Sequence, residues 1–563
     1  MMGATIISSG MLISRLLGLV RERLILGTFG DSNISGAYNL AFVVPDLFYN
    51  LLAGGAMSAA FIPIFTDYLS HDRHEEAHET GSTIATLLMI AMTVCVAICM
   101  LFAPQIIGKL QLLQHPDHPF RPEDLALTVS LMRIMCVMLI FTAQSGHLTG
   151  ILNSYKHFTT PVAVWLIYNL CIILGVSVFS KMPLFGGSPA VPNIHGVAYS
   201  VVLGSVLLAV IQLPVALKFG FRFRLALNLA HEGVRKVLKL FLPVMVSLAL
   251  GQINLLVLPL VLGAAFGLPA VTDIRAANRL VLVPLGLFAI AISTAAFPKL
   301  AQLAAWGEKA AFRNTLAQAM KIIMLLSIPS AMALFVLARP ITYLLWGGGK
   351  FGQQGVEASA FVLMFFSWGL VALGLVQIVN RAFYAMRDTL TPTIVGIIMV
   401  VCNVAISLYL AHHELLGMGY GCVAFSTTLT TTLSTFILLF LLRRRMGRLE
   451  GRSLLIMVSK TLLASVVMGL VLYGCAQALA PMLGGHKLGP AFPWPAPFVP
   501  FNADEAQAVS FHAPALRLLI EFVVSGVAGL CVYLGMLKLL NVTEVAMLRE
   551  RILSKFRKRA ATV

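Results

Sequence analysis

An all-α, polytopic membrane fold of about fourteen transmembrane helices is what the sequence predicts, and three observations predict it. Long apolar stretches recur from end to end, the connections between them alternate between basic and nearly uncharged, and short motifs return six spans later. Of 563 residues, 59% are hydrophobic and 11% charged, where a soluble protein carries about 25% charged residues. The net charge of +17 requires no nucleic-acid partner, because Lys and Arg collect in the cytoplasmic loops of membrane proteins.

The spans run near 3–28, 36–66, 81–103, 125–152, 161–180, 195–218, 239–262, 271–298, 314–338, 356–386, 392–411, 418–442, 454–479 and 515–540. Pro45, Pro284 and Pro329 lie inside spans and are expected to kink them. The first span carries Arg15 near its centre, then Arg21, Glu22 and Arg23. A charge at mid-bilayer costs roughly 2.5–3.5 kcal/mol on insertion scales. At 100° per residue, Ser8, Met11, Ser14, Arg15, Gly18, Arg21 and Glu22 fall within about 140° of arc, while Leu12, Ile13, Leu16, Leu17 and Val20 take the opposite face. The segment reads as a helix with a lipid face and a cationic face. Either an Arg15–Glu22 pair ties helices together, or the cationic face forms a wall that receives an anion. No basic n-region precedes this apolar stretch and Arg15 interrupts it, so the helix is expected to stay in the protein.

In the second span Asn39, Asp46 and Asn50 share one helical face at spacings of seven and four. Asp46 is a rare intramembrane acid, suited to balancing Arg15 or Arg21 or to binding a coupling cation; charge balance is the preferred account. Basic connections hold Arg222, Arg224, Arg235 and Lys236, then Lys299, Lys309 and Arg313, then Arg387, then Arg443 to Arg452, and a tail with Arg549 to Arg559. With an even span count, this alternation puts both termini in the cytoplasm. The turn His71–Glu79 fits poorly, being acidic on a side that should be basic. Its His71, His74 and His78 suit a solvated turn better than a metal site. No metal is expected. The eight cysteines lie in or beside apolar segments and read as small core residues.

Asn39…Pro45 in the second span is echoed by Asn278…Pro284 in the eighth, and Tyr155 with Thr160-Pro161 by Tyr384 with Thr391-Pro392. The shared offset predicts two parallel six-helix lobes, 1–225 and 226–447, around a central cationic cavity. Residues 448–563 add two further helices, a Pro- and aromatic-rich outer loop (Pro490–Pro500) and a basic cytoplasmic tail. Such repeated bundles with a site between them are a common transporter plan. In the eighth span Arg275, Arg279, Gly286 and Ser293 fall within about 40° on a helical projection, with Thr272 nearby.

Several motifs together carry a family resemblance: Ser14-Arg15-Leu-Leu-Gly18-Leu-Val-Arg21-Glu22, Ala41-Phe42-Val-Val-Pro45-Asp46, Ala53-Gly-Gly-Ala56-Met-Ser58, Ala277-Asn278-Arg279-Leu280, Tyr343 to Phe351, and Phe383-Tyr384-Ala-Met-Arg387-Asp388. With these the chain resembles the bacterial MviN/MurJ lipid II flippases of the multidrug/oligosaccharidyl-lipid/polysaccharide exporter superfamily. The resemblance spans at least the first twelve helices. It implies two six-helix lobes around a cavity, two extra helices forming a lipid-tail groove, and transfer of lipid-linked peptidoglycan precursor from the inner to the outer leaflet of the bacterial cytoplasmic membrane. It also implies that Arg15, Arg21 and Arg279 are cavity arginines. Better-known members carry an Arg-Arg pair where this chain has Tyr49 and Asn50, a Glu at Gly54, and Asp at Gly36 and Asn278. Arg275 is a candidate to replace some of the missing positive charge.

A cavity with Arg15, Arg21, Arg275 and Arg279 suits a pyrophosphate, whose hydration charge-assisted guanidinium bonds can replace. Ser14, Glu22, Asn39, Asp46, Asn50 and Asn278 are the accompanying polar or charge-balancing groups. A flippase for another polyprenyl-pyrophosphate-linked oligosaccharide, of O-antigen type, shares this logic and stays open. A cation-coupled drug antiporter would favour cavity carboxylates, and a membrane glycosyltransferase would need a catalytic acid that the loops do not supply. The expectation is a transporter and not an enzyme, with no cofactor, a coupling ion or the membrane potential left unassigned, and a lipid-linked oligosaccharide, membrane lipids and cell-wall synthesis proteins as partners.

Overall fold

The computed structural model describes residues 2–51, 57–110, 120–253, 258–412, 419–447, 451–482 and 515–542. Among these residues there are helices and no strand, apart from one bridge between Gly348 and Phe351. Eleven helical segments are long and apolar enough to cross a membrane, and each falls on a span read from hydropathy. The other three expected spans, near 3–28, 36–66 and 239–262, correspond to α1 (Met2–Phe29), to α2 (Asn33–Ala41), α3 (Val43–Leu51) and α4 (Met57–Ser70), and to α10 (Glu232–Gln252) with α11 (Leu258–Gly263). Gly54, the Pro490–Pro500 loop and the basic tail lie outside the described residues.

Packing divides the chain into two compact units. The first holds Met1–Arg275 and Trp346–Gly352, the second Ala276–Leu345 and Gln353–Val563.

In the first unit α1 ends at Gly30 in a left-handed conformation (φ +73), and a Cβ there would sit 2.6 Å from the Lys350 carbonyl oxygen. Ser32 then caps α2: its hydroxyl accepts from the Ser35 amide while the Ser35 side chain accepts from the Ser32 amide. The expected single helix over 36–66 is interrupted. Proline lacks an N–H and its ring crowds the carbonyl four residues earlier; for Pro45 that residue is Ala41, where α2 stops. The remaining helices are α5 (His74–Leu110), α6 (Pro122–Cys136), α7 (Met138–Ser154), α8 (Thr159–Ser177), α9 (Ile194–Lys218), α10, α11 and the start of α12 (Leu268–Pro284). One core gathers Tyr38, Phe42, Leu131, Met135, Leu139 and Val197; another gathers Phe61, Phe65, Ile84, Ile151 and Phe221.

The seven residues Trp346–Gly352 also belong to this unit. The Lys350 amide donates to the Gly27 carbonyl (2.8 Å). Gly349 has φ +63, and a Cβ on it would meet the Gly27 oxygen at 2.2 Å. Trp346 and Phe351 are fully buried. At Gly30 and Gly349, where φ is positive and a Cβ would clash, only glycine fits.

The acidic turn that disturbed the charge pattern finds its partners here. Glu75 lies 4.0 Å from Arg222 and 3.5 Å from Arg224, and Glu79 accepts from Asn228 (2.7 Å) beside His231. The His71–Glu79 turn therefore shares one end of the unit with a basic connection, and the alternation is kept. His71 sits against the Asp67 carbonyl and His74 stacks on His78. Among the described residues no cluster of His, Cys, Asp or Glu is arranged to hold a metal ion.

The second unit contains the rest of α12, a π-helical turn (Leu285–Ile290), α13 (Ala291–Ala305), α14 (Lys309–Val336), α15 (Ala338–Trp346, through Leu345), α16 (Gln353–Ala385), α17 (Leu390–His412), α18 (Gly421–Met446), α19 (Gly451–Met482) and α20 (Ala515–Leu539). The π turn follows Pro284 directly, whereas Pro329 lies within continuous α14. Basic connections again share an end: Arg445 pairs with Asp388 and Arg313 donates to the Met446 carbonyl (3.2 Å). The Tyr533 hydroxyl donates to the Leu325 carbonyl (2.6 Å), tying α20 to α14. All eight cysteines are free; Cys99, Cys136, Cys171 and Cys422 are buried as expected of core residues, but Cys531 is exposed.

Two substitutions test this packing. A Cβ at Gly36 would meet the Leu268 carbonyl oxygen at 2.1 Å, while Gly396 has nothing within 4 Å. Gly36→Ala should destabilise by about 1–3 kcal/mol through overpacking, and Gly396→Ala should be neutral or slightly stabilising; equal melting temperatures in detergent would contradict the α2–α12 contact. Asp31, in the turn between α1 and α2, has a buried Oδ1 that accepts no hydrogen bond, and burial pushes its carboxyl up from 3.8 to about 6. Folding therefore favours the protonated form, and the stabilisation present below the unfolded value is lost as pH rises through about 6. Asp31→Asn should accordingly be more stable than the parent at pH 8 by about 1–3 kcal/mol and indistinguishable at pH 4. A gain independent of pH would show that ionisation is not its source.

Candidate functional site

The cationic face of α1 is divided between two neighbours. Asn169 on α8 donates to the Ser14 hydroxyl (3.2 Å) and accepts from Arg21 Nη1 (3.2 Å), with Gly18 between them close to the Asn169 oxygen. Ser14, Gly18 and Arg21 recur at helical spacing, so one amide can bind both ends of the stripe. Arg15 is exposed. Glu22 is buried on the other flank, 3.7 Å from Arg21 and 4.0 Å from Arg275.

Arg275, at 6% exposure, is the centre of the arrangement. Its Nη2 lies 3.7 Å from Asp46 Oδ2, and the Phe42 ring centroid lies 5.3 Å from its guanidinium carbon. Its Nε and Nη1 are buried without a hydrogen-bond partner. Asp46 is held separately, because Asn50 Nδ2 donates to its carbonyl (2.8 Å) and its Oδ1 (3.1 Å). Two arginines and two carboxylates thus make a cluster, with Glu22 and Arg275 buried and Arg21 and Asp46 partly so. Asp46 lies beside Arg275, which the sequence did not suggest as its partner, and its charge also acts on Arg21, which the sequence did suggest.

The break before Pro45 puts Asn39 on α2 and Asp46 and Asn50 on α3, yet Asn39 and Asp46 both meet α12. Asn39 stays on α2 and donates to Thr272 (3.2 Å), whose hydroxyl donates to Ser35 (3.2 Å). Asp46 and Asn50 remain together on α3. On α12 Arg275 and Arg279 stand one turn apart in the sequence, and a π turn, Leu285–Ile290, lies between them and Ser293. Asn278 and Arg279 are half-buried and belong to the second unit. Tyr49, where an arginine was expected from the resemblance, stacks on Tyr168 (5.5 Å) and meets Trp165 edge-on (5.4 Å).

Sequence reasoning missed Asn169, Tyr168 and Phe42. Asn169 left one signal: it is an amide inside an otherwise apolar run, Trp165-Leu-Ile-Tyr-Asn169-Leu-Cys-Ile-Ile-Leu174. The two aromatic residues left none.

The model of one protein family, described as lipid II flippase MurJ, matches residues 25–487. The chain belongs to that family. A lipid II flippase MurJ from Burkholderia cenocepacia is 30% identical over 395 residues, covering 69% of this chain and 74% of the relative. A probable lipid II flippase MurJ from Buchnera aphidicola is 28% identical over 462 residues, covering 82% and 87%. Among solved structures, a lipid II flippase MurJ in an inward closed conformation matches with a TM-score of 0.71 at 22% identity, covering 94% of this chain and 97% of the other. An inward-facing multidrug resistance MATE family transporter of the MOP superfamily matches with a TM-score of 0.62 at 16% identity, covering 80% and 99%. The fold is therefore that of MurJ and, more broadly, of MOP-superfamily transporters. The family is one of transporters and not of enzymes.

Within this MurJ-family fold the charge cluster makes a stability prediction. Removing Arg275 takes from buried Glu22 and part-buried Asp46 the cation they share, and breaking a fully buried pair, the upper bound here, costs about 3–5 kcal/mol. Arg275→Ala should lower the melting temperature in detergent, and adding Asp46→Asn should restore most of the loss. If the double variant melts no higher than the single one, the two side chains are not coupled.

Proposed function

We propose that this protein flips lipid-linked peptidoglycan precursor, lipid II, from the inner to the outer leaflet of the bacterial cytoplasmic membrane. The observation that carries the reading is the family match across residues 25–487, with relatives over most of the chain that bear the same name. The site chemistry agrees with it. A pyrophosphate cannot enter hydrocarbon with its charge uncompensated, and guanidinium groups offer planar, bidentate donors in place of water. Arg15 and Arg21 on α1, with Arg275 and Arg279 on α12, are the groups proposed to meet it.

The two repeated lobes, 1–225 and 226–447, would expose the site to one side at a time, as repeated bundles do in other transporters. Binding must differ between the two states, since equal affinity shifts no equilibrium. Both termini are placed in the cytoplasm on the strength of the basic connections, and the neutralisation of the acidic His71–Glu79 turn by Arg222 and Arg224 supports that assignment. Membrane lipids surround the chain, and proteins of cell-wall synthesis are the partners such a flux calls for.

Rescue of a flippase-depleted bacterium tests the reading, scored by survival and, in the rescued cells, by lipid II reaching the outer leaflet. The parent sequence should restore growth. Arg15→Lys should insert at normal levels yet rescue poorly, because a point charge cannot replace the planar fork on a phosphate. Full rescue by Arg15→Lys would remove phosphate gripping from Arg15, and failure of the parent to move lipid II would overturn the function itself.

A further inference from the structure

The structure assigns Asp46 a role in the transport cycle: it is the internal counter-ion that stands in for substrate phosphate on Arg275 while the carrier is empty. The inference rests on the reading of these arginines as pyrophosphate-binding groups.

Four features of the cluster lead to it. First, Arg275 is neutralised without being captured. Its carboxylate neighbours stand at 3.7 and 4.0 Å, beyond the roughly 2.7–2.9 Å of a charge-assisted hydrogen bond, and its Nε and Nη1 bond to nothing. A phosphoryl oxygen would gain donors that the carboxylates leave unused. Second, Asp46 does not depend on Arg275 for its position. Asn50 holds both its backbone carbonyl and its Oδ1 from one turn further along α3, so Asp46 stays in place when the guanidinium turns to another anion. Third, Phe42 lies against the guanidinium from α2's end, a support that exchange of anions leaves intact. Fourth, Arg21, Glu22, Asp46 and Arg275 carry two charges of each sign. Without Asp46 the two arginines would share the single carboxylate of Glu22, an imbalance that low-dielectric surroundings disfavour.

Asp46 therefore acts in two opposed ways. It competes with the arriving anion for Arg275, and it allows the site to close and return once the anion has left. An ordinary structural ion pair would not separate these effects, because its loss would weaken folding and binding together.

The experiment uses the full-length protein in detergent for binding, with farnesyl pyrophosphate as the probe, and in proteoliposomes for lipid II transfer. Asp46→Asn should bind the probe roughly threefold to tenfold more tightly, because a charged competitor has gone, while steady-state transfer falls about tenfold as the empty return slows. Asp46→Glu should move both values back toward the parent. If Asp46→Asn fails to fold, Asn50→Ala, which frees the Asp46 carboxylate from its anchor, should give the same opposed changes on a smaller scale. Unchanged binding and transfer, or binding that weakens at a normal melting temperature, would overturn the assignment. Arg21→Ala separates this outcome from failure of the phosphate reading. If the parent binds the probe and Arg21→Ala does not, the phosphate site stands and Asp46 alone is judged; if the parent does not bind, both fall.

Discussion

No charge can sit alone in a low-dielectric interior, and the first unit is arranged around that constraint. Arg275 enters from α12, Glu22 from α1 and Asp46 from α3, so three separate stretches of chain must meet to balance one guanidinium. Phe42 separates α2 from α3, and Asp46 stands in the first turn of α3. Asn39, left behind on α2, ties that helix to Thr272, one turn before Arg275 on α12. The polar contacts on either side of the break thus brace the same helix that carries the buried cation.

The departures from better-known members of the MurJ family take on physical meaning in this setting. Gly36 replaces an acid where α2 lies directly on the Leu268 carbonyl, a place with no room for a side chain. Tyr49 replaces an arginine and joins an aromatic stack with Trp165 and Tyr168, adjoining the Asn169 that positions Arg21. Arg275 on α12 has Asp46 of α3 next to it.

Much of the fold was legible because membrane spans are written in composition. Every segment that qualifies as a span by length and hydropathy had been located, and the basic connections correctly grouped the ends of the helices within each unit. Even the discordant His71–Glu79 turn was explained by charge once its partners were known. The site was legible only in part. Periodicity singled out Arg21, Glu22, Asp46 and Arg275, which the structure brings together, and Arg15, which is exposed, because intramembrane charges are rare enough to stand out. It offered Arg15 and Arg21 as the charges for Asp46 to balance and left out Arg275, because which helix approaches α3 is set by tertiary packing. Asn169 and Phe42 were invisible for the same reason: which face of α8 or α2 approaches α1 and α12 depends on tertiary packing, which a single helix does not encode.

The short segment Trp346–Gly352 also bears on the order in which the protein is made. It completes the first unit through contacts between Gly27, Gly30, Gly349 and Lys350 that are backbone to backbone. Yet the ribosome reaches it only after the roughly seventy residues 276–345 of the second unit. At about 5–20 residues per second, the first unit waits roughly 4–14 s in the membrane with the end of α1 uncovered. The earlier-made unit therefore cannot finish first, and its assembly depends on the spans built from α13 and α14 having already been made.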